Sequence, residues 1–197
     1  MINNFIQKRF LKRRIVYKSS FPIDYTSEQF EFKEISNSNI REVRSFLEKR
    51  ITKERLDFRL KNPDIKGFIV VNIQTHEIAG YQWMLYSTNN EYIHDNYIIT
   101  PATGFLFNAY VHPKYRGMGV FTLLKSEIIK YHYKKTNSYN LLSVVESLNH
   151  SSIKVNKKLS SVKVGENYLF KFLGRNLFSI TFQNNHVKFS ITSRQSL

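Results

Sequence analysis

The sequence predicts a mixed α/β (α+β) fold, one sheet with helices packed on it. Three observations carry this. Seven stretches alternate apolar and polar residues or run as β-branched and aromatic segments, four others repeat apolar residues at helical spacing, and the two kinds follow one another as β-α-α-β-β-β-α-β-α-β-β. The expected architecture is a sheet of about six to seven strands flanked by about four helices. With 197 residues, 42% hydrophobic and 15% aromatic, the chain has the material for one packed core.

Each element follows from local pattern. In QFEFKEIS, Phe30, Phe32 and Ile35 alternate with polar residues and mark a strand. Ile40, Val43, Phe46 and Leu47 then fall on one helical face, and residues 52–61 form a second short helix stopped by Asn62-Pro63-Asp64. The runs 67–73 and 78–87 flank Gln74-Thr75-His76-Glu77 and read as a hairpin. A polar loop, STNNEYIHDN, separates them from a strand over 105–113 that ends at Pro113. Val120, Phe121, Leu124, Ile128 and Tyr131 give an amphipathic helix. A strand over 140–148, a short helix over 151–159, and two closing strands at YLFKFL and LFSITF complete the order. With no internal repeat or low-complexity linker, the expected organisation is a basic N-terminal segment, 1–25, followed by a single domain, 26–197.

Charge and composition bound the function. Thirty Lys+Arg against 15 Asp+Glu leave +15, a field that concentrates phosphates, anionic lipid surfaces and acidic small molecules. No cysteine is present, so disulfide frameworks, thiolate metal sites and Cys nucleophiles are excluded. Residues 1–20 carry six cations and no acid, yet lack the apolar run of a signal peptide, and no stretch has the length of a membrane span. A cytoplasmic protein is expected. The basic segment itself reads as a solvated arm, as a strand or helix leading into the fold, or as a surface drawn to anionic lipid, the arm being favoured.

Chemistry enters at AYVHPKYRGMGVFT, residues 109–122. A strand runs through a glycine-bearing turn straight into the long helix, so backbone amides gather at a helix start where anions are favoured. Gly117 and Gly119 allow positive φ, and Arg116 adds a cation. The bland alternative is an ordinary strand-to-helix turn beside a solvated arginine. The wider context, with Val-x-Pro, then Tyr-Arg-Gly-x-Gly-Val, an amphipathic helix, a strand and an Asn-x-x-Ser stretch, resembles the GCN5-related N-acetyltransferase (GNAT) superfamily. HPKYRGMGVF is similar to its R/Q-x-x-G-x-G/A signature, with Phe121 in the last place. SLNHSSIKVNKKLSSVKVG resembles its second segment, with Asn149 and Ser152 in place and Ser160-Ser161 replacing the usual Gly-Phe.

The resemblance implies a mostly antiparallel sheet and an acetyl-CoA site. The backbone of Ala109, Tyr110 and Val111 would pair with the pantetheine amides like an added strand. The amides of Gly117, Met118, Gly119, Val120, Phe121 and Thr122 would hold the pyrophosphate, with Arg116 beside them. Asn149 would bond the pantetheine arm or simply cap the following helix. Transfer in the family is direct attack by a neutral amine, so a base and an acid suffice. Many relatives place a tyrosine acid where this chain has Asn156. Glu146, an acid in an apolar strand where burial would raise its pKa, is the candidate base, against the reading of an end-of-strand surface glutamate. Tyr168 and Tyr86 are candidate acids or packing aromatics. His112 is read as a surface residue, and the histidines show no metal-ligand spacing, so no metal is expected.

The expected function is transfer of an acetyl or other acyl group from acyl-CoA to a primary amine. The acceptor site would lie near residues 50–62 and 86–104, with Tyr92, Asp95 and Tyr97, and the +15 charge favours an acidic acceptor such as a nucleotide-linked amino sugar. The alternative is a non-catalytic module binding nucleic acid or an anionic membrane through its basic face. Its charges are dispersed and no nucleic-acid motif appears, so nucleic acid is the less favoured partner.

Overall fold

The computed structural model describes residues 11–19, 24–87, 92–94, 97–99, 103–172, 175–183 and 186–191. The strands are β1 (Leu11–Lys18), β2 (Phe30–Glu34), β3 (Ile65–Asn72), β4 (Ile78–Ser87), β5 (Tyr92–His94), β6 (Tyr97–Ile99), β7 (Thr103–Val111), β8 (Leu141–Glu146), β9 (Val162–Phe172), β10 (Arg175–Gln183) and β11 (His186–Ile191). The helices are α1 (Ile40–Glu48), α2 (Lys53–Lys61), α3 (Val120–Thr136) and α4 (His150–Lys158), with a 3-10 turn at Pro113–Tyr115.

Nine strands form one sheet in the order β11-β10-β9-β1-β8-β7-β4-β3-β2, and β5 with β6 makes a separate two-stranded ribbon. The sheet is therefore larger than the six to seven strands expected. The two additions are β1 and β11, which the periodicity did not mark; outside the sheet, β5 forms inside the stretch read as a polar loop and β6 directly after it. β1 is the instructive case. Leu11, Ile15, Val16 and Tyr17 are set among Lys12, Arg13, Arg14 and Lys18, so charge masks the strand signal. Its register explains how the sheet holds those cations. β1 lies antiparallel to both β8 and β9, with Arg13 opposite Tyr168 and Arg14 opposite Glu146 and Asn167. Of the three readings of the basic segment, residues 11–18 follow the strand.

Every pair in the sheet is antiparallel except β7 with β8. Two cores cover its faces. On one, α1 and α2 set Val43, Leu47 and Leu56 against Val16, Tyr81, Trp83, Phe105 and Leu142. On the other, α3 sets Val120, Leu124, Ile128 and Ile129 against Phe68, Val70, Met84 and Leu106. Residues such as Val43, Leu56, Phe68, Leu124 and Ile128 are fully buried, and each contributes on the order of 1.5–3 kcal/mol by leaving water. The buried set of α3 is wider than its apolar stripe and includes Lys125, Ser126 and His132. None of the described helices is long and apolar enough to cross a membrane.

Glu166 fastens β1 to β9. Its carboxylate receives Arg13 through Nε at 3.0 Å and Nη2 at 2.5 Å, and also accepts from Lys163 and the Tyr168 hydroxyl. The Arg13 bond, with help from Lys163 and Tyr168, holds the carboxyl down at about 2, against the opposing effect of burial. A carboxyl with a lowered folded pKa stabilises above the unfolded value and loses that contribution as protons return. Thermal melting is expected to soften as pH falls from about 4.5 towards 2, and Glu166→Gln should flatten that part of the curve measured by circular dichroism.

Candidate functional site

The site is built where β7 and β8 part. They pair in parallel over Gly104, Phe105 and Leu106 against Leu141, Leu142 and Ser143, and no further. Past that point β7 bends. Its pairing with β4 slips between Tyr81 and Trp83, which face Tyr110 and Phe107, so β7 has one extra residue, a bulge. Asn108 absorbs the bend at φ 47°, a left-handed conformation that asparagine tolerates, and accepts the Tyr81 hydroxyl on its side chain at 2.9 Å. From Phe107 onward the edge of β7 that faced β8 has no strand partner among the described residues, and Asn108 and Ala109 are exposed. Ala109, Tyr110 and Val111, the residues that the resemblance implies for pantetheine, lie on that edge.

The chain then turns into α3 as the glycines dictate. Gly117 and Gly119 sit at φ 83° and 82°, and Gly119 caps the helix without any side-chain bond. The first backbone bond of the helix runs from the Leu123 amide to the Gly119 carbonyl at 2.9 Å. The amides of Val120, Phe121 and Thr122 lie ahead of it, in the turn where the helix dipole is positive, with no acid in that turn. One expectation needs correction: the Met118 amide donates to the Tyr115 carbonyl at 3.4 Å and holds the turn together. Arg116 is exposed and reaches back to the Val111 carbonyl through Nε at 3.4 Å, so it joins the open strand end to the turn. Tyr25, which the sequence did not single out, lays its hydroxyl against Gly119, where a Cβ would collide with it, and Lys158 stands 4.9 Å from its ring centre.

Asn149 caps α4, accepting the Ser152 amide at 3.1 Å on its side-chain oxygen. The capping role is thus real, and the residue remains exposed at the end of β8. A cleft of about 580 Å³ there brings Asn149 and Glu146 together with Lys12, Arg13 and His150. Glu146 differs from expectation. It is the last residue of β8, its side chain is 50% exposed, and it pairs with Lys12 at 2.5 Å. The apolar run of β8 stops one residue earlier, and the burial inferred from that run is absent. Tyr168 lies on β9 and donates its hydroxyl to Glu166, a bond that raises its own pKa. It does not line the cleft. Tyr86 pairs with Gly104, at the opposite end of β7 from the bulge, and packs on His132. His112 caps the 3-10 turn, accepting the Lys114 amide at 3.3 Å. Tyr92 and Tyr97 lie on β5 and β6, while Asp95 is outside the described residues.

Under the fork of the strands lies a polar cluster the sequence did not reveal. Lys125 of α3 is 1% exposed and donates to Ser143 at 3.1 Å, to Ser161 at 3.3 Å, and to Asn156. Asn156 also accepts from Ser143 at 3.1 Å and donates to the Ser152 carbonyl at 2.8 Å. The residue in the place of the expected tyrosine acid is therefore a buried structural amide joining α3, β8 and α4. Burial lowers the Lys125 pKa from 10.5 to about 7. At ~1.4 kcal/mol per pH unit, charging this amine in the folded state costs roughly 5 kcal/mol. A base with a lowered folded pKa leaves the unfolded chain holding more protons between the two values, so stability rises with pH there. Urea unfolding is expected to show stability increasing from pH 7 to pH 10, and Lys125→Met should reduce that slope.

Known proteins bear directly on this geometry. A profile of the acetyltransferase (GNAT) family matches residues 27–160, more than half of the chain. No curated protein matches. Among solved structures, a GCN5-related N-acetyltransferase from Sphaerobacter thermophilus superposes with a TM-score of 0.57 at 12% identity, covering 86% of this chain and 54% of that one. AAC(6')-Iy in complex with the bisubstrate analogue CoA-S-monomethyl-acetylneamine gives 0.51 at 15% identity, covering 67% and 90%. An aminoglycoside acetyltransferase from an uncultured soil metagenomic sample, in complex with trehalose, gives 0.51 at 9% identity, covering 68% and 88%. At these identities the likeness is one of fold, and it agrees with a mixed, mostly antiparallel sheet flanked by four described helices. With the family profile spanning β2 to α4, the strand fork and the glycine turn included, the chain belongs to the acetyltransferase (GNAT) family.

Proposed function

We propose that the protein transfers an acetyl group from acetyl-CoA to a primary amine on an acidic small molecule, an amino sugar being the model acceptor. The observation that carries this is the open β7 edge leading into an acid-free glycine turn at the start of α3. An extended chain of amides fits the edge, and a pyrophosphate fits the amides of Val120, Phe121 and Thr122 with Arg116 beside them. Gly117 and Asn149 are assigned to the same proposed site. The fold neighbours that act on aminoglycosides support an amino-sugar acceptor, and the +15 charge supports an acidic one.

In this reaction the protein's work is chiefly positioning. The amine nitrogen bonds to the thioester carbonyl carbon, the carbon–sulfur bond breaks, and the amine loses one proton. Glu146, in the cleft beside Asn149, takes that proton, and Lys12 holds the carboxylate in place. The Tyr168 hydroxyl is held by Glu166 away from the cleft lining, so solvent returns a proton to the departing thiolate.

Three experiments test this. Calorimetric titration with acetyl-CoA at low and high salt should show binding that survives salt and weakens in Arg116→Ala, whereas binding that vanishes with salt would mark a mere basic surface. Gly119→Ala faces both a left-handed φ and the Tyr25 hydroxyl, and should cost ~1–2 kcal/mol of stability together with most of the acetyl-CoA affinity. Glu146→Gln should lower kcat while leaving the KM for acetyl-CoA unchanged; an unaltered kcat excludes it as the base.

A further inference from the structure

Helix α2 carries a guanidinium that acyl transfer, as described, does not use. Arg59 is 5% exposed and lies under the sheet, its Cζ 5.3 Å from the Trp83 ring centre and 5.0 Å from that of Phe107. Its Nη1 has no hydrogen-bond partner among the described residues, and no described carboxylate forms an ion pair with it. Asp57, on the same helix, is taken by Arg44 at 2.8 Å. The titratable groups that act on Arg59 are Tyr81 and a second cation, Arg55. Burial lowers its pKa to about 10, so the group remains charged at neutral pH.

A further guanidinium lies alongside. Arg50 stacks 4.0 Å over Phe46 and 4.4 Å over Tyr110, and donates to the Tyr110 hydroxyl at 3.2 Å. Arg50 and Arg59 both act on Tyr81, whose hydroxyl donates to Asn108 at the bulge. The α1/α2 face of the β7 bulge is therefore flanked by two cations. A buried unpaired charge is costly, and proteins rarely retain one without a partner. The rings of Trp83 and Phe107 offset part of that cost, but they offer no oxygen to the planar fork of donors. The complement of such a fork is an oxyanion bound through two oxygens. Position gives the fork its meaning: Phe107 immediately precedes Asn108, at the point where β7 leaves β8.

We propose that Arg59 is the anion-recognition residue of the acceptor site, and that the acceptor is an amine bearing a carboxylate or phosphate group. This rests on the acyl-transfer reading and narrows its substrate class.

The test uses the full chain saturated with CoA, so that the Gly117–Thr122 turn is filled. Thermal midpoints are read with added inorganic phosphate, acetate, or chloride at matched ionic strength. One of the two oxyanions should raise the midpoint above chloride, phosphate alone indicating a phosphate ester and acetate alone a carboxylate, and Arg59→Met should abolish the shift with CoA affinity unchanged. In the same variant the KM for an anionic amine, glucosamine 6-phosphate or glutamate, should rise roughly tenfold or more, with that for glucosamine unchanged. Equal changes for charged and neutral amines, or an oxyanion shift that survives Arg59→Met, overturn the proposal. Arg59→Lys keeps the charge without the fork and covers the case in which the methionine variant does not fold; retention of the full preference for the anionic amine there is equally fatal. Failure of the unaltered protein to bind CoA or transfer acetyl overturns the acyl-transfer reading itself, whereas an active enzyme with an indifferent Arg59 overturns this inference alone.

Discussion

The pairing of β7 with β8 breaks off after Leu106 and Ser143, and the rest of the site depends on that break. Two constraints impose it. On one side Asn108 inserts an extra residue against β4 and turns β7 away. Below the fork, Lys125, Ser143, Asn156 and Ser161 fill the space with a hydrogen-bonded cluster that joins α3 and α4 to β8. The strands diverge over a floor that is satisfied without any ligand, and the open edge of β7 follows as a geometric consequence. An open edge is ordinarily a hazard for aggregation, and in the proposed function it serves instead as the surface for pantetheine, with the first amides of α3 beside it.

Two buried cations show how burial and partnership decide what a charge does. Lys125 has three oxygen partners and a pKa brought to about 7, so it can lose its charge near neutral pH and acts as a polar brace. Arg59 cannot give up its proton near neutral pH, and Nη1 has no described partner. Glu166 is the opposite case, an acid whose charge is held by Arg13 and Lys163 and which thereby anchors a basic strand within the sheet. The +15 charge is thus unevenly used: part of it is neutralised in the sheet, and part remains as cations around the cleft and the bulge.

Seven strands and four helices in their order, the hairpin and the glycine turn were legible in the sequence, because each rests on local periodicity or on a residue that fixes its own backbone. Gly117 and Gly119 announced positive φ, and the structure has it at both. β1 was not legible, since its four cations surround a short apolar run, Ile15-Val16-Tyr17, that becomes meaningful only between β8 and β9. Glu146 was misplaced for the converse reason: an apolar run shows that a strand is buried, but not at which residue it emerges. Arg59 left a trace, standing three residues after Leu56 and so on its buried face, whereas Lys125 left none, because its burial is made by α4 and β8 from elsewhere in the chain.

By itself, then, the sequence determined what short-range physics controls: where the strongly patterned strands and helices form, and where the backbone turns through glycine ahead of α3. Tertiary structure alone decided which strand lies at the centre of the sheet, where β7 and β8 part, and which charged side chains are buried with partners or without them. The reason is that partnership and solvent exclusion depend on residues brought from distant parts of the chain, and no local pattern records them.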